Sequence, residues 1–155
     1  MSAADRSAKS FVLAQLGDRR FALPADTIVE LAPSLPLHHF PHTSPLLVGV
    51  IVRRARIVPV FDAASVLVGK RSSAHHFYLV ARRDVGKASE LSAIPVDAEC
   101  ELTSAELLPS EAGRPRYVRG RIAVGEELID VLDFESLVSE AAAAEQGGNR
   151  QEGAG

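Results

Sequence analysis

The chain carries an internal repeat. A shift of 71 residues takes Ala22 onto Ala93, Pro24 onto Pro95, Asp26 onto Asp97, Glu30 onto Glu101 and Leu31 onto Leu102 without a gap. The same shift takes Gly49 onto Gly120, Ile51 onto Ile122, Val60 onto Val131, Asp62 onto Asp133 and Ser65 onto Ser136, and sets Ile57-Val58 against Leu128-Ile129. The matched prolines, glycines and aspartates are residues that punctuate local structure, which makes chance likeness between two β segments the weaker account. Two copies of one small β unit are expected, at about residues 20–68 and 91–139.

The copies read as strands. Ser10 to Leu16 and Arg19 to Pro24 flank the turn Gly17-Asp18 and predict a hairpin. Ala25 to Leu31 fits either a strand or one helical turn, since a short apolar run does not settle the period. Pro33, Pro36, Pro41 and Pro45 exclude a long helix over Ala32–Pro45 and predict an extended surface loop. Leu46 to Val52 and Ile57 to Phe61, rich in β-branched residues, flank a basic corner of Arg53, Arg54 and Arg56 and predict a second hairpin. Pro59 lacks a ladder donor, so its strand is expected at an edge or with a bulge. Asp62 should cap a helical turn over residues 63–67. A strand over residues 76–81 should be followed by a turn at 82–87, and Phe134 to Ala144 has the i, i+3, i+4 spacing of a short amphipathic helix. Residues 1–9 and 145–155 are polar and small and are expected to be disordered, leaving one folded domain over 10–144. The pattern predicts an all-β fold of two small barrels packed together, with a short C-terminal helix.

Composition narrows the function. The net charge of −3 argues against a general nucleic-acid binder. One cysteine, Cys100, excludes an internal disulfide and suits a reducing compartment. No signal peptide and no apolar run of membrane-spanning length is present, so a cytoplasmic protein without direct membrane insertion is expected.

Catalytic chemistry finds little purchase. Gly69-Lys70 lacks the glycine and hydroxyl of a phosphate loop. Cys100 lies between Glu99 and Glu101, whose like charge disfavours a thiolate. His38, His39 and His42 share one proline-interrupted loop, with His75 and His76 elsewhere, and their spacing does not converge on a metal. The duplicated aspartates, Asp26 with Asp97 and Asp62 with Asp133, raise the possibility of a carboxylate pair, but none is followed by the hydroxyl and glycine of an acid-protease turn. They read as turn caps. No cofactor site and no enzyme activity are expected. The arginine corner is the better feature, because guanidinium forks beside Val and Ile suit a docking surface for a partner helix or strand.

Phe11-Val12-Leu13, Phe21-Ala22-Leu23-Pro24, Ile28-Val29-Glu30, Gly49-Val50-Ile51, Arg54, Ile57 to Asp62, Ala93 to Asp97, Tyr117 to Gly120 and Leu132-Asp133 follow one another in an order that resembles the CheW-like adaptor family of bacterial chemotaxis. The resemblance spans about residues 10–140. It implies two five-stranded SH3-like β-barrels sharing a hydrophobic interface. It also implies a non-catalytic scaffold coupling chemoreceptor tips to the regulatory domain of a CheA-type histidine kinase, recruited to membrane receptor arrays. A divergent module of the same fold, binding a small ligand or another protein, is the alternative. The family hairpin usually reads Gly-Val-Ile-Asn-Leu-Arg-Gly; Arg54 is kept here, whereas Val52, Arg53 and Ala55 replace Asn, Leu and Gly. Ala55 lacks easy access to positive φ, which predicts a reshaped corner. The resemblance places Ile28, Glu30 and Arg54 in the receptor-facing region. With Arg53, Arg56 and Val58 they form the candidate partner-binding set, while Gly49, Gly120, Asp62 and Asp133 are expected to be structural.

Overall fold

A computed structural model describes residues 8–33, 35–39, 47–69, 77–85 and 87–140. Ten strands follow one another as β1 (Ala8–Leu16), β2 (Arg19–Pro24), β3 (Ile28–Pro33), β4 (Leu47–Arg53), β5 (Arg56–Phe61), β6 (Phe77–Val85), β7 (Ala88–Val96), β8 (Glu101–Glu106), β9 (Val118–Val124) and β10 (Glu127–Leu132). The short helix α1 (Ala63–Leu67) follows β5, and α2, residues 134–140, follows β10. The ambiguous stretch after β2 resolves into both candidates, a 3-10 turn over Ala25–Thr27 and then β3.

The repeat does not divide the molecule into its two barrels. One sheet has the order β8-β1-β2-β10-β9 and the other β3-β6-β7-β5-β4. Moving each strand of the first sheet five places along the chain, β10 returning to β5, reproduces the second. Each barrel therefore takes two strands from one half of the chain and three from the other. The crossings occur at the 3-10 turn between β2 and β3 and at the Asp97 segment between β7 and β8.

Side-chain alternation explains why the halves interlock. Along β1, Phe11 and Leu13 point into the first barrel with Ala22, Ile122, Ile129 and Val131. Their neighbours Val12, Ala14 and Leu16 point the other way, into a core between the barrels. In the second barrel Tyr78 and Val80 face its interior, with Ile51, Val58 and Val60, while Leu79 and Ala81 face the shared core. Strands buried on both faces read as continuous apolar runs, which is how β1, β2, β6 and β7 appear in the sequence. Both helices close the shared core with Ala63, Ala64, Leu67, Phe134, Leu137 and Val138.

Several local expectations need correction. β1 starts at Ala8, inside the stretch read as disordered. β6 runs on through Arg82-Arg83-Asp84, which were read as a turn, because β7 continues opposite them to the pair Val85 and Ala88. Pro59 is not on an edge strand and carries no bulge: β5 lies between β7 and β4, and the irregularity falls on β4 between Leu47 and Gly49. The proline is tolerated because β5 meets β7 at a single register position, Val60 opposite Ala93. Residues 1–7, 34, 40–46, 70–76, 86 and 141–155, and with them His42, His75, His76 and residues 141–144 of the expected C-terminal helix, lie outside the described residues.

Candidate protein-docking site

The start of β3 and the tip of the β4–β5 hairpin meet at one end of the second barrel. β3 and β4 are the two outer strands of that sheet's order, and Glu30 joins them. Arg53 donates from Nε to Glu30 Oε1 at 2.8 Å and from its terminal nitrogen to Oε2 at 3.0 Å. This two-pronged contact spans the barrel seam. The hydrogen bond from Arg53 holds the Glu30 carboxyl below the usual carboxylate range against the opposing effect of burial, and the charges of Arg53 and Arg54 add to it. The same contact raises the Arg53 pKa. Arg53 stands opposite Arg56 across the hairpin, so the Glu30 carboxylate also relieves a like-charge pair.

The register Arg53 opposite Arg56 leaves a two-residue loop, Arg54-Ala55, with φ of 52° and 62°. Two consecutive positive φ values describe the type I′ turn that matches the twist of a tight hairpin. The corner closes in two residues with alanine at the position where the family pattern has glycine. Ala55 is held in the left-handed region, at a steric cost of about 1 kcal/mol. The equivalent loop of the second copy, between Val124 and Glu127, begins with Gly125 at φ 62°.

Alternation sorts the remaining candidates. Val58 is fully buried among Ile51, Val60 and Tyr78, so it is a core residue and not a contact residue. Its neighbour Ile57 points outward and is 72% exposed, beside Val52 at 49% across the hairpin. Val29, at the irregularity in β3 between Ile28 and Glu30, is also exposed. Ile28 is half-buried against the shared core. Arg54 and Arg56 are exposed and form no ion pair among the described residues. The result is a basic hairpin tip with an aliphatic flank. Ile57, Val52 and Val29 were legible in the period-two pattern, once the buried face was known.

The structural candidates act in pairs. His38 exchanges two backbone hydrogen bonds with Val50, at 2.8 and 3.0 Å, and Leu108 does the same with Arg121, at 2.7 and 2.9 Å. In each case the preceding glycine lets the strands close up. A Cβ on Gly49 would stand 2.6 Å from the His38 carbonyl oxygen, and one on Gly120 would meet the Leu108 carbonyl still more closely. Asp62 occupies the N-cap of α1, but its carboxylate accepts from the Ser65 hydroxyl at 2.8 Å, not from a backbone N–H. Asp133 accepts from both the Ser136 N–H, at 3.1 Å, and the Ser136 hydroxyl. The Cys100 thiol is pushed up to about 11 by burial, so it is inert for a different reason than its acidic neighbours. No group of three or more His, Cys, Asp or Glu among the described residues is placed to hold a metal ion.

A family model described as the CheW-like domain matches residues 10–142. The chain belongs to the CheW-like family. A probable chemotaxis protein CheW from Rhizobium etli is 24% identical over 137 residues, a match that takes in 85% of this chain and 88% of that protein. The crystal structure of the scaffolding protein TtCheW from Thermoanaerobacter tengcongensis superposes with a TM-score of 0.70 at 17% identity, over 83% of this chain and 86% of that one. The two five-stranded sheets are thus the paired SH3-like barrels of CheW-like proteins. Of the residues singled out by likeness to the family, Glu30 and Arg54 come together with Arg53 and Arg56 at one barrel end, whereas Ile28 packs against the shared core. No helix among the described residues is long and apolar enough to cross a membrane.

Proposed function

We propose that this CheW-like chain is a non-catalytic adaptor that couples chemoreceptor tips to the regulatory domain of a CheA-type histidine kinase in a cytoplasmic array. The observation that carries the reading is the tip of the β4–β5 hairpin: two exposed guanidiniums beside Val52 and Ile57, on a backbone fixed by the Arg53–Glu30 contact. A rigid, partly apolar surface with fork-shaped donors suits a helical partner that offers carboxylates. Contacts of this kind are small and transient one at a time, and many together give an array its strength.

A titration of the purified chain against the kinase regulatory domain, run beside co-sedimentation with receptor arrays, tests the reading. Saturable kinase binding is expected. Arg54→Ala should lower receptor co-sedimentation by roughly tenfold, the loss of one charge-assisted contact, with the fold intact. Arg53→Leu should leave Arg54 less well placed and give a smaller loss. Wild-type co-sedimentation of Arg54→Ala would remove the hairpin tip from the receptor contact, and failure to bind the kinase domain would count against the adaptor role.

A further inference from the structure

The end of the first barrel away from its hairpin turns is open. There β1 and β9 begin and β2, β8 and β10 end, opposite the turns at Gly17-Asp18 and Gly125-Glu126. A cleft of about 380 Å³ reaches the barrel core at Phe11, Leu107 and Val131. Its volume falls in the range of small-molecule sites, roughly 300–1,000 Å³. Lys9, Arg119 and Asp26 also line it, and all three are exposed and form no ion pair among the described residues.

The repeat shows what opened this end. In β4 the register slips from Leu47 opposite Phe61 to Gly49 opposite Val60, and Val48 is left without a partner. In β9 it slips from Val118 opposite Leu132 to Gly120 opposite Val131, and Arg119 is left in the same way. A bulge re-aims the side chain it carries. Val48 packs against the core of the second barrel, whereas Arg119 lines the cleft of the first. Leu37 and Leu107 are also matched, each lying against the glycine that follows its bulge. Two residues before Leu37, Leu35 packs against the second core; two residues before Leu107 stands Ala105, opposite Lys9. A plug of valine and leucine in one barrel is therefore arginine and alanine in the other, and the period of two sets Lys9 on the same face of β1 as Phe11.

The geometry points to a binding site in this cleft for a small carboxylate with a short apolar tail. The tail lies against Phe11, Leu107 and Val131, and the carboxylate is held at the mouth by Arg119 and Lys9. A guanidinium fork suits a carboxylate because it offers two parallel donors to its two oxygens. Asp26 offsets only one of the two cations, so the mouth keeps a positive balance. An anion is therefore preferred to a neutral or cationic molecule of the same shape. The site is on the other barrel from the arginine hairpin, and it stands independently of the adaptor reading.

Amide NMR spectra of the isotope-labelled full chain, titrated with hexanoate and, separately, with hexanol and hexylamine, test this without any receptor or kinase. Hexanoate should move the resonances of Ser10, Phe11, Arg119 and Val131 along a saturable curve with a Kd of roughly 1 mM or below, and leave Arg54 and Ile57 in place. Hexanol should bind about tenfold more weakly, and hexylamine more weakly still. Arg119→Ala, at an exposed position, should weaken hexanoate binding by roughly tenfold, and Asp26→Asn should tighten it. Arg119→Val, which copies the residue at the same repeat position in the second barrel, should abolish binding while the spectrum remains that of a folded chain. Equal binding of the three probes overturns the carboxylate assignment. Shifts that never saturate, or binding that survives Lys9→Ala and Arg119→Ala combined, overturn the site.

Discussion

Arg53 decides what its neighbours can do. As a charge where the family pattern has an aliphatic residue, it would leave a like-charge pair with Arg56; the Glu30 carboxylate turns it into a clasp across the barrel seam. The clasp should make stability depend on pH in a definite direction. The Glu30 pKa is depressed in the fold, so the unfolded chain binds the proton more readily. The stabilisation is complete above the unfolded value of about 4.3 and is lost as pH falls through the lower folded value. Urea midpoints of the wild type and Glu30→Gln should therefore differ at pH 7 and converge as the solution is taken below pH 4. A gap that stays constant would mean that the carboxylate charge does not hold Arg53. Val58 shows the opposite case, a residue adjacent to the exposed candidates that the strand period turns inward.

At the level of the hairpin, the tip is held by its strands against the preference of its own residues. Among the described non-glycine residues only Arg54 and Ala55 have positive φ, and they are consecutive. Six ladder positions between β4 and β5, from Leu47 opposite Phe61 to Arg53 opposite Arg56, hold the loop to two residues, and the turn it adopts sets both of them in the left-handed region. Ala55→Gly should therefore stabilise the chain by about 0.5–1 kcal/mol, the relief of the steric cost less the extra freedom glycine brings to the unfolded state. Chemical denaturation with a fitted midpoint measures it, and a loss of stability would show that the alanine is not strained. The same loop differs across the repeat. Gly125 lets the second tip turn easily and present glutamates, whereas the first tip holds an arginine rigidly at its apex.

The whole molecule should unfold as a single cooperative unit, because neither half of the chain completes a barrel. Leu79 is fully buried in the core between the barrels, packed with residues of both halves. Leu79→Ala should cost about 2–5 kcal/mol, the usual range for emptying a buried leucine site. Unfolding should remain one transition, with far-UV circular dichroism and the fluorescence of Tyr78 and Tyr117 giving coincident curves. Separate transitions would mean that the barrels fold independently. Arg19 adds a second tie, donating to the Leu67 carbonyl at the end of α1 at 2.7 Å and to Asp130 on β10 at 3.1 Å.

The local rules that read strands and turns from sequence act on neighbouring residues, and they placed most strands and turns but not the start of β1, the length of β6 or the setting of Pro59. The hairpins at Gly17-Asp18 and at the arginine corner, the repeat at 71 residues and the short helix after Asp62 follow from β-branched runs, turn residues and spacing, whereas the close approach that requires glycine at positions 49 and 120 is seen only in the structure. Family membership was legible in the order of those same motifs. The candidate docking surface was only half legible: Glu30, Arg53, Arg54 and Arg56 carry charges that mark them, but nothing along the chain says that Glu30, 23 residues before Arg53, lies within hydrogen-bond reach of it. That contact, the inward turn of Val58, the length of β6 and the exchange of strands between the halves were decided by tertiary structure. Each depends on which face of a strand finds a second apolar layer, and that layer is supplied by residues on the other half of the chain.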